Sequence, residues 1–208
     1  MARTKSRFVC QECGYVASSW LGRCPECGGW NTLVEEAEVT AKVSKSYLPA
    51  NNEKLRPRTI ASVAQTKVER LATGIREFDR VLGGGVVPGS LVLLGGTPGI
   101  GKSTILLDAG LRFGQQGIKV LYVSGEESEE QTAMRAVRLG GAQANDNLLI
   151  LTATDLDAIL AQANALKPQL LIIDSIQTMY NHELQTAAGS VGQVRECTAK
   201  LLQFAKST

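Results

Sequence analysis

Gly96-Thr97-Pro98-Gly99-Ile100-Gly101-Lys102-Ser103 is the stretch whose reading decides the fold. It has the spacing G-x-x-x-x-G-K-S, which turns a backbone into a phosphate cradle. Gly96, Gly99 and Gly101 let the chain fold tightly, so that its N–H groups point inward at an anion. Lys102 brings a point charge to the terminal phosphates, and the Ser103 hydroxyl is placed to hold Mg²⁺. On one side, Leu91-Val92-Leu93-Leu94 reads as a buried parallel strand entering the loop. On the other, Ile105, Leu106, Ala109 and Phe113 recur at helical spacing, so the loop opens a helix whose N-terminus favours negative charge. Residues 96–103 and the following Thr104 are therefore the candidate contacts for ATP or ADP.

Downstream, apolar runs alternate with helical patterns. Val120-Leu121-Tyr122-Val123 is β-rich. Ser128-Glu129-Glu130-Gln131 is a capping-box pattern opening a helix with Met134 and Val137 on one face. Leu148 to Leu151 reads as the next strand, and Thr154 as the cap of a helix carrying Leu156, Ile159, Leu160 and Ala163, with Pro168 beyond it. Leu170-Leu171-Ile172-Ile173 is a further buried strand. Such alternation predicts an α/β domain with a mainly parallel sheet covered on both faces, whose ligands sit at the carboxyl ends of strands. Asp174 lies at such an end and is placed to orient the Mg²⁺ shell. Glu126 and Glu127 lie at another, where a carboxylate can orient an attacking water or simply favour a helix N-terminus.

Four of the five cysteines fall in the first thirty residues, as Cys10-x-x-Cys13 and Cys24-x-x-Cys27. Two such knuckles give the tetrahedral sulfur cage that Zn²⁺ accepts, with iron as the alternative metal. Gly14 and Gly28-Gly29 follow the knuckles, where their amides can point at sulfur. A segment this short depends on the metal for much of its folding energy. Trp20 and Trp30 flank the second knuckle and read as caps on a tiny core, with base stacking as the other use. Residues 35–58 are charged and small, with Pro49 and Pro57 breaking regular structure. They read as a flexible tether spanning roughly 25–30 Å. The expected organisation is a four-cysteine zinc module at 1–34, a linker at 35–58 and the nucleotide-binding domain at 59–208.

Composition adds limits. With 208 residues and a net charge of +2, bulk charge argues for no nucleic-acid surface, so any contact to DNA depends on local placement of Lys and Arg. The N-terminus lacks an apolar signal core and no run reaches membrane-spanning length. A cytoplasmic location with reduced cysteines is expected.

Leu82-Gly83-Gly84-Gly85, the phosphate loop, Ser124-Gly125-Glu126-Glu127-Ser128 and Leu171-Ile172-Ile173-Asp174-Ser175-Ile176-Gln177-Thr178 together resemble the RecA-like ATPases. With Cys24-Pro25-Glu26-Cys27 and Trp30-Asn31 in front of that core, the chain is similar to their zinc-bearing DNA-repair branch. The resemblance implies an ATP-driven, ring-forming homo-oligomeric motor on single-stranded and branched DNA. Such a motor promotes branch migration in homologous recombination alongside RecA, with no membrane partner. It also implies that Lys102, Asp174 and Glu126 form the catalytic set, Glu126 being the first acidic residue after its strand. The doubled acid resembles the circadian-clock ATPases of the superfamily, which keeps Glu127 open. Members of this branch continue with further core strands, a Lys-Asn-Arg-Phe-Gly motif and a Lon-protease-like domain, none of which is in these residues. An incomplete RecA-like sheet with an uncovered edge is therefore expected, binding Mg-nucleotide but turning it over poorly.

Two other functions fit parts of the pattern. One is a zinc-containing binding or regulatory module switched by nucleotide without motor activity. The other is a small-molecule P-loop kinase, weakened by the lack of an acceptor-binding pattern. The 178–190 segment, with His182, Glu183 and Gln185 and no Lys or Arg, reads equally as a DNA-facing loop or a solvated one. His182 is expected to be exposed, and Cys197 to lie in the core.

Overall fold

A computed structural model describes residues 6–37, 59–64, 69–141, 146–184 and 186–207. Its elements run β1 (Ser6–Cys10), β2 (Val16–Ala17), β3 (Leu33–Ala37), α1 (Ile60–Ala64), α2 (Arg76–Val81), α3 (Lys102–Gln115), β4 (Val120–Ser124), α4 (Glu129–Ala136), β5 (Leu148–Thr152), α5 (Leu156–Leu166), β6 (Leu170–Asp174) and α6 (Val191–Ser207). A wide turn, Val137–Gly141, follows α4.

The first three strands form a small antiparallel sheet in the order β2-β1-β3. Its core consists of Cys10, Ala17, Cys24 and Leu33, too little to hold thirty residues by apolar burial alone. Strand β3 runs on to Ala37 opposite Ser6, so residues 35–37 belong to this module and not to the linker. The rest of the expected linker, 38–58, lies outside the described residues.

Strands β4, β5 and β6 form a parallel sheet in the order β5-β4-β6. Every residue of the central β4 is buried, as a strand covered on both faces requires. The period of two sorts its side chains. Val120 and Tyr122 join Leu107, Leu111, Phe113, Ala136 and Ile172 on the face covered by α3 and α4. Leu121 and Val123 join Leu156, Ile159, Met179, Cys197 and Leu201 on the face covered by α5 and α6. Cys197 is thus in the core, as expected.

Local chemistry sets the helix starts. Ser128 and Gln131 close a reciprocal capping box at α4. Helix α5 is capped by Asp155 and not by Thr154. The Asp155 carboxylate accepts from the amides of Asp157 and Ala158, and an ionised acceptor is the stronger cap. The expected apolar face of α4 is also corrected. Met134 is 65% exposed and Val137 lies in solvent with it, while the smaller Thr132 and Ala136 face the sheet.

The largest difference concerns Leu91-Val92-Leu93-Leu94, which forms no strand. The parallel sheet ends at β6, and no described strand lies beside this segment to complete a ladder. Val92 and Leu93 are exposed, Leu93 at 75%. A run of apolar β-formers stays single when its hydrogen-bonding neighbour is missing.

Residues 178–184 and 186–190 lie between β6 and α6 and are held by a buried amide, while Gln185 lies outside the described residues. Gln193 Oε1 accepts from the Asn181 amide at 2.8 Å, and its Nε2 donates to the Asn181 carbonyl at 3.2 Å and the Thr186 carbonyl at 3.0 Å. Both Gln193 and Asn181 are 1% exposed. Replacing Gln193 by Ala leaves buried backbone groups unpaired, at about 1–3 kcal/mol each. We expect Gln193→Ala to lower unfolding stability by about 2–4 kcal/mol and to speed amide exchange around residue 181. Unchanged exchange there would show that the loop is held by something else.

Candidate functional site

At the four-cysteine centre, backbone geometry comes first. The Gly14 amide donates to the Cys10 carbonyl and the Gly28 amide to the Cys24 carbonyl, each at 2.9 Å, closing the two knuckles. These two amides therefore serve the turns and not the sulfur atoms. Cys10, Cys13, Cys24 and Cys27 bring their Sγ atoms within 4.8 Å of one another. The Cys10–Cys27 and Cys13–Cys24 pairs are 3.7 and 3.6 Å apart. A tetrahedral site with metal–sulfur bonds of about 2.3 Å has S···S edges of about 3.8 Å, so the cage fits a metal of zinc's size. The Thr32 hydroxyl draws the Cys10 thiol down to about 6. At Cys27 the Gly29 amide pulls the same way, but burial and the neighbouring thiols outweigh it and push the group up to about 12.

Trp20 and Trp30 do not cap this core. They are 57% and 70% exposed, with the Arg23 guanidinium 5.6 Å from the Trp30 ring centre. The small interior is formed instead by Cys10, Ala17, Cys24 and Leu33, with Phe8 and Tyr15 against it.

The phosphate loop lies at the carboxyl end of the parallel sheet. Gly101, at φ +102°, takes the left-handed conformation that lets the loop turn into α3. The helix then begins at Lys102 and runs 14 residues, with its free N-terminal amides at the loop. Lys102 Nζ donates to the carbonyls of Gly96 at 2.8 Å and Thr97 at 2.9 Å, so the ammonium is folded over its own loop. Thr97, Pro98, Gly99, Ile100 and Thr104 are exposed around it.

Ser103 Oγ donates to Asp174 Oδ1 at 3.0 Å, joining the first turn of α3 to the end of β6. Asp174 Oδ2 accepts from the Tyr122 hydroxyl at 2.6 Å. Glu126 stands exposed beside this pair, its Oε1 accepting from Ser175 Oγ at 3.0 Å. Glu127 points elsewhere, into an ion pair with the largely buried Arg135 of α4. The Ser124 hydroxyl accepts from the Glu127 amide at 3.0 Å and fixes the turn. Gly125 is required where it stands, because a Cβ there would run into the Thr178 hydroxyl. The structure thus brings Lys102, Ser103, Asp174 and Glu126 to one edge and turns Glu127 away.

Three contributors were not legible in the sequence. Tyr122 sits in a run of aliphatic residues where an aromatic is ordinary. Ser175 follows the aspartate with nothing to mark it, and Arg135 looks like any surface arginine of α4. His182 is exposed, as expected, with Nε2 3.0 Å from Asp155 Oδ2 and no contact to the phosphate loop among the described residues.

A parallel sheet with a G-x-x-x-x-G-K-S loop at its carboxyl end, next to a carboxylate paired with the loop's serine, defines a P-loop nucleotide-binding protein. The chain belongs to the AAA domain family, whose model matches residues 56–208. Residues 8–35 match the rubredoxin metal binding domain. Over its whole length the chain is 49% identical to the DNA repair protein RadA of Halalkalibacterium halodurans and 46% identical to that of Bacillus subtilis. It is 47% identical to RadA of Listeria monocytogenes over 99% of its length. It spans 45%, 45% and 44% of these three relatives. No helix among the described residues is long and apolar enough to cross a membrane.

Metal uptake by the four thiols must release their protons, so affinity rises with pH and falls on acidification. We expect a metal-loaded chain to lose its metal progressively as the solution is acidified, with unfolding confined to the small antiparallel sheet. Metal release recorded with a colorimetric chelator across a pH series checks this. Release independent of pH would mean that the thiols are not the ligands.

Proposed function

We propose that this chain carries the nucleotide-binding core and metal ribbon of a DNA-dependent ATPase working in DNA repair. The observation that carries the reading is the Ser103–Asp174 hydrogen bond with Glu126 beside it. It assembles a phosphate loop, a metal-orienting carboxylate and an exposed carboxylate at one sheet edge. The names of the relatives supply the DNA-repair context.

In this reading Gly96, Thr97, Pro98, Gly99, Ile100, Gly101, Lys102, Ser103 and Thr104 hold the phosphates of ATP or ADP. Lys102 leaves the carbonyls of Gly96 and Thr97 for the terminal phosphates, exchanging two neutral acceptors for charged ones. Ser103 and Asp174 hold Mg²⁺, which supplies charge neutralisation between the phosphates when bound. Glu126 accepts a proton from the attacking water. Its hydroxyl partner Ser175 is neutral and easily given up, whereas Glu127 is committed to Arg135. This favours Glu126 over Glu127 as the catalytic carboxylate. Cys10, Cys13, Cys24 and Cys27 hold a structural zinc, since a closed set of four sulfur ligands leaves no open position for chemistry.

For the whole protein we extend the proposal to single-stranded and branched DNA, branch migration, action alongside RecA, a homo-oligomeric ring and a cytoplasmic location. Phosphoryl transfer also needs charge stabilisation beyond the loop. The loop supplies Lys102, and Arg135 nearby is already paired with Glu127. These residues alone therefore turn ATP over slowly. That same poverty of cations favours the second reading, a nucleotide-switched binding module without motor activity.

Lys102→Ala should weaken ATP binding at least tenfold, because it removes a charge-assisted contact of about 1.5–3 kcal/mol. Glu126→Gln should keep ATP bound while slowing its hydrolysis about a hundredfold, within the usual range for a lost general base. Glu127→Gln should do less to turnover. ATP turnover with and without single-stranded and forked DNA, measured beside equilibrium nucleotide binding, checks all three and separates motor from switch. Slow hydrolysis in Glu127→Gln alone would move the base by one residue. DNA-insensitive turnover would favour the switch.

A further inference from the structure

Tyr122 is the one residue of β4 whose side chain reaches from the hydrophobic core to the nucleotide site. Its ring is 1% exposed and packs in the cluster of Leu107, Phe113, Val120, Ala136 and Ile172. Its hydroxyl meets Asp174 Oδ2 at 2.6 Å, while the other oxygen of that carboxylate faces Ser103. A buried phenol needs some partner, and a backbone carbonyl would satisfy it. Here the partner is instead the carboxylate that closes β6, at the short distance typical of O–H···O⁻ bonds.

We propose that Tyr122 is a positioning residue for the magnesium site: its hydroxyl locks Asp174 so that Oδ1 stays aimed at Ser103. The carboxylate of an aspartate rotates about a broad, soft torsion. A donor fixed to a rigid ring removes that freedom at Oδ2. It leaves Oδ1 and the Ser103 oxygen in a constant relation whether or not nucleotide is present. Outer-sphere partners of this kind commonly contribute about 10–100-fold to metal affinity. The inference rests on the assignment of Asp174 to magnesium made above and adds the residue that orients it.

The test is the magnesium dependence of nucleotide binding by the full chain. A fluorescent ADP analogue is titrated at a series of Mg²⁺ concentrations and without Mg²⁺. Tyr122→Phe keeps the ring and removes the donor. It should raise the Mg²⁺ concentration for half-maximal enhancement about tenfold and change Mg²⁺-free affinity by less than about twofold. Asp174→Asn should also shift the Mg²⁺ midpoint, and Lys102→Ala should weaken binding with and without the metal. A midpoint unchanged in Tyr122→Phe but shifted in Asp174→Asn overturns the inference and leaves the site assignment standing. An unchanged midpoint in Asp174→Asn overturns both. Should Tyr122→Phe not fold, 3-fluorotyrosine at position 122 keeps ring and donor. Its fluorine resonance should move when Mg²⁺ is added to nucleotide-loaded protein. A resonance that ignores Mg²⁺ overturns the proposal.

Discussion

The hydrogen bond from Ser103 to Asp174 joins groups 71 residues apart and holds the phosphate loop to the sheet. Among the described residues no strand pairs with the segment before the loop, Leu91 to Leu94, and the contacts that position the loop come from its helix side. Leu107, Leu111 and Phe113 press α3 onto β4 and β6, and the Ser103 hydroxyl then reaches the carboxylate at the end of β6. A hydrogen bond to a charged group contributes about 1.5–3 kcal/mol, enough to choose one loop position over its neighbours. Apolar burial sets the helix on the sheet, and one polar contact sets the register of the site.

The acidic residues around this contact have been sorted by their partners. Asp174 carries a donor on each oxygen and points at the loop. Glu127 is neutralised by Arg135 and anchors the start of α4. Glu126 keeps only the Ser175 hydroxyl and stays exposed. Three carboxylates within a few residues of strand ends would repel one another and any phosphate if all faced inward. Pairing one with an arginine and holding one with two hydroxyls leaves Glu126 as the exposed carboxylate of the three. The metal ribbon follows the same logic in sulfur. Four thiols gathered within 4.8 Å of one another are a donor set that a single cation can hold.

Much of this was legible in the sequence because it depends on spacing. The G-x-x-x-x-G-K-S run, the two C-x-x-C pairs and the aliphatic runs at β4, β5 and β6 depend on local geometry, and each falls where its pattern predicts. Errors arose where tertiary context decides. Leu91 to Leu94 has the composition of a buried strand, but a strand exists only with a neighbour. Met134 of α4 and Val137 just beyond it are the larger apolar residues of the expected face, yet α4 buries Ala136 and Thr132. Trp20 and Trp30 stay outside the small core, where Cys10, Ala17, Cys24 and Leu33 pack with Phe8 and Tyr15. Tyr122 was hidden for the opposite reason: its ring obeys the core pattern, and only the direction of its hydroxyl marks it.

The central claim is that Lys102, Ser103 and Asp174 form one phosphate and metal site at the carboxyl edge of the sheet. A structure of the chain soaked with Mg²⁺ and ADP tests it most directly. The account predicts the β-phosphate inside the 96–103 loop, Lys102 Nζ moved off the carbonyls of Gly96 and Thr97, and the metal at Ser103 with Asp174 behind it. A nucleotide bound elsewhere, or a Lys102 still closed over its own loop beside a bound phosphate, would contradict it.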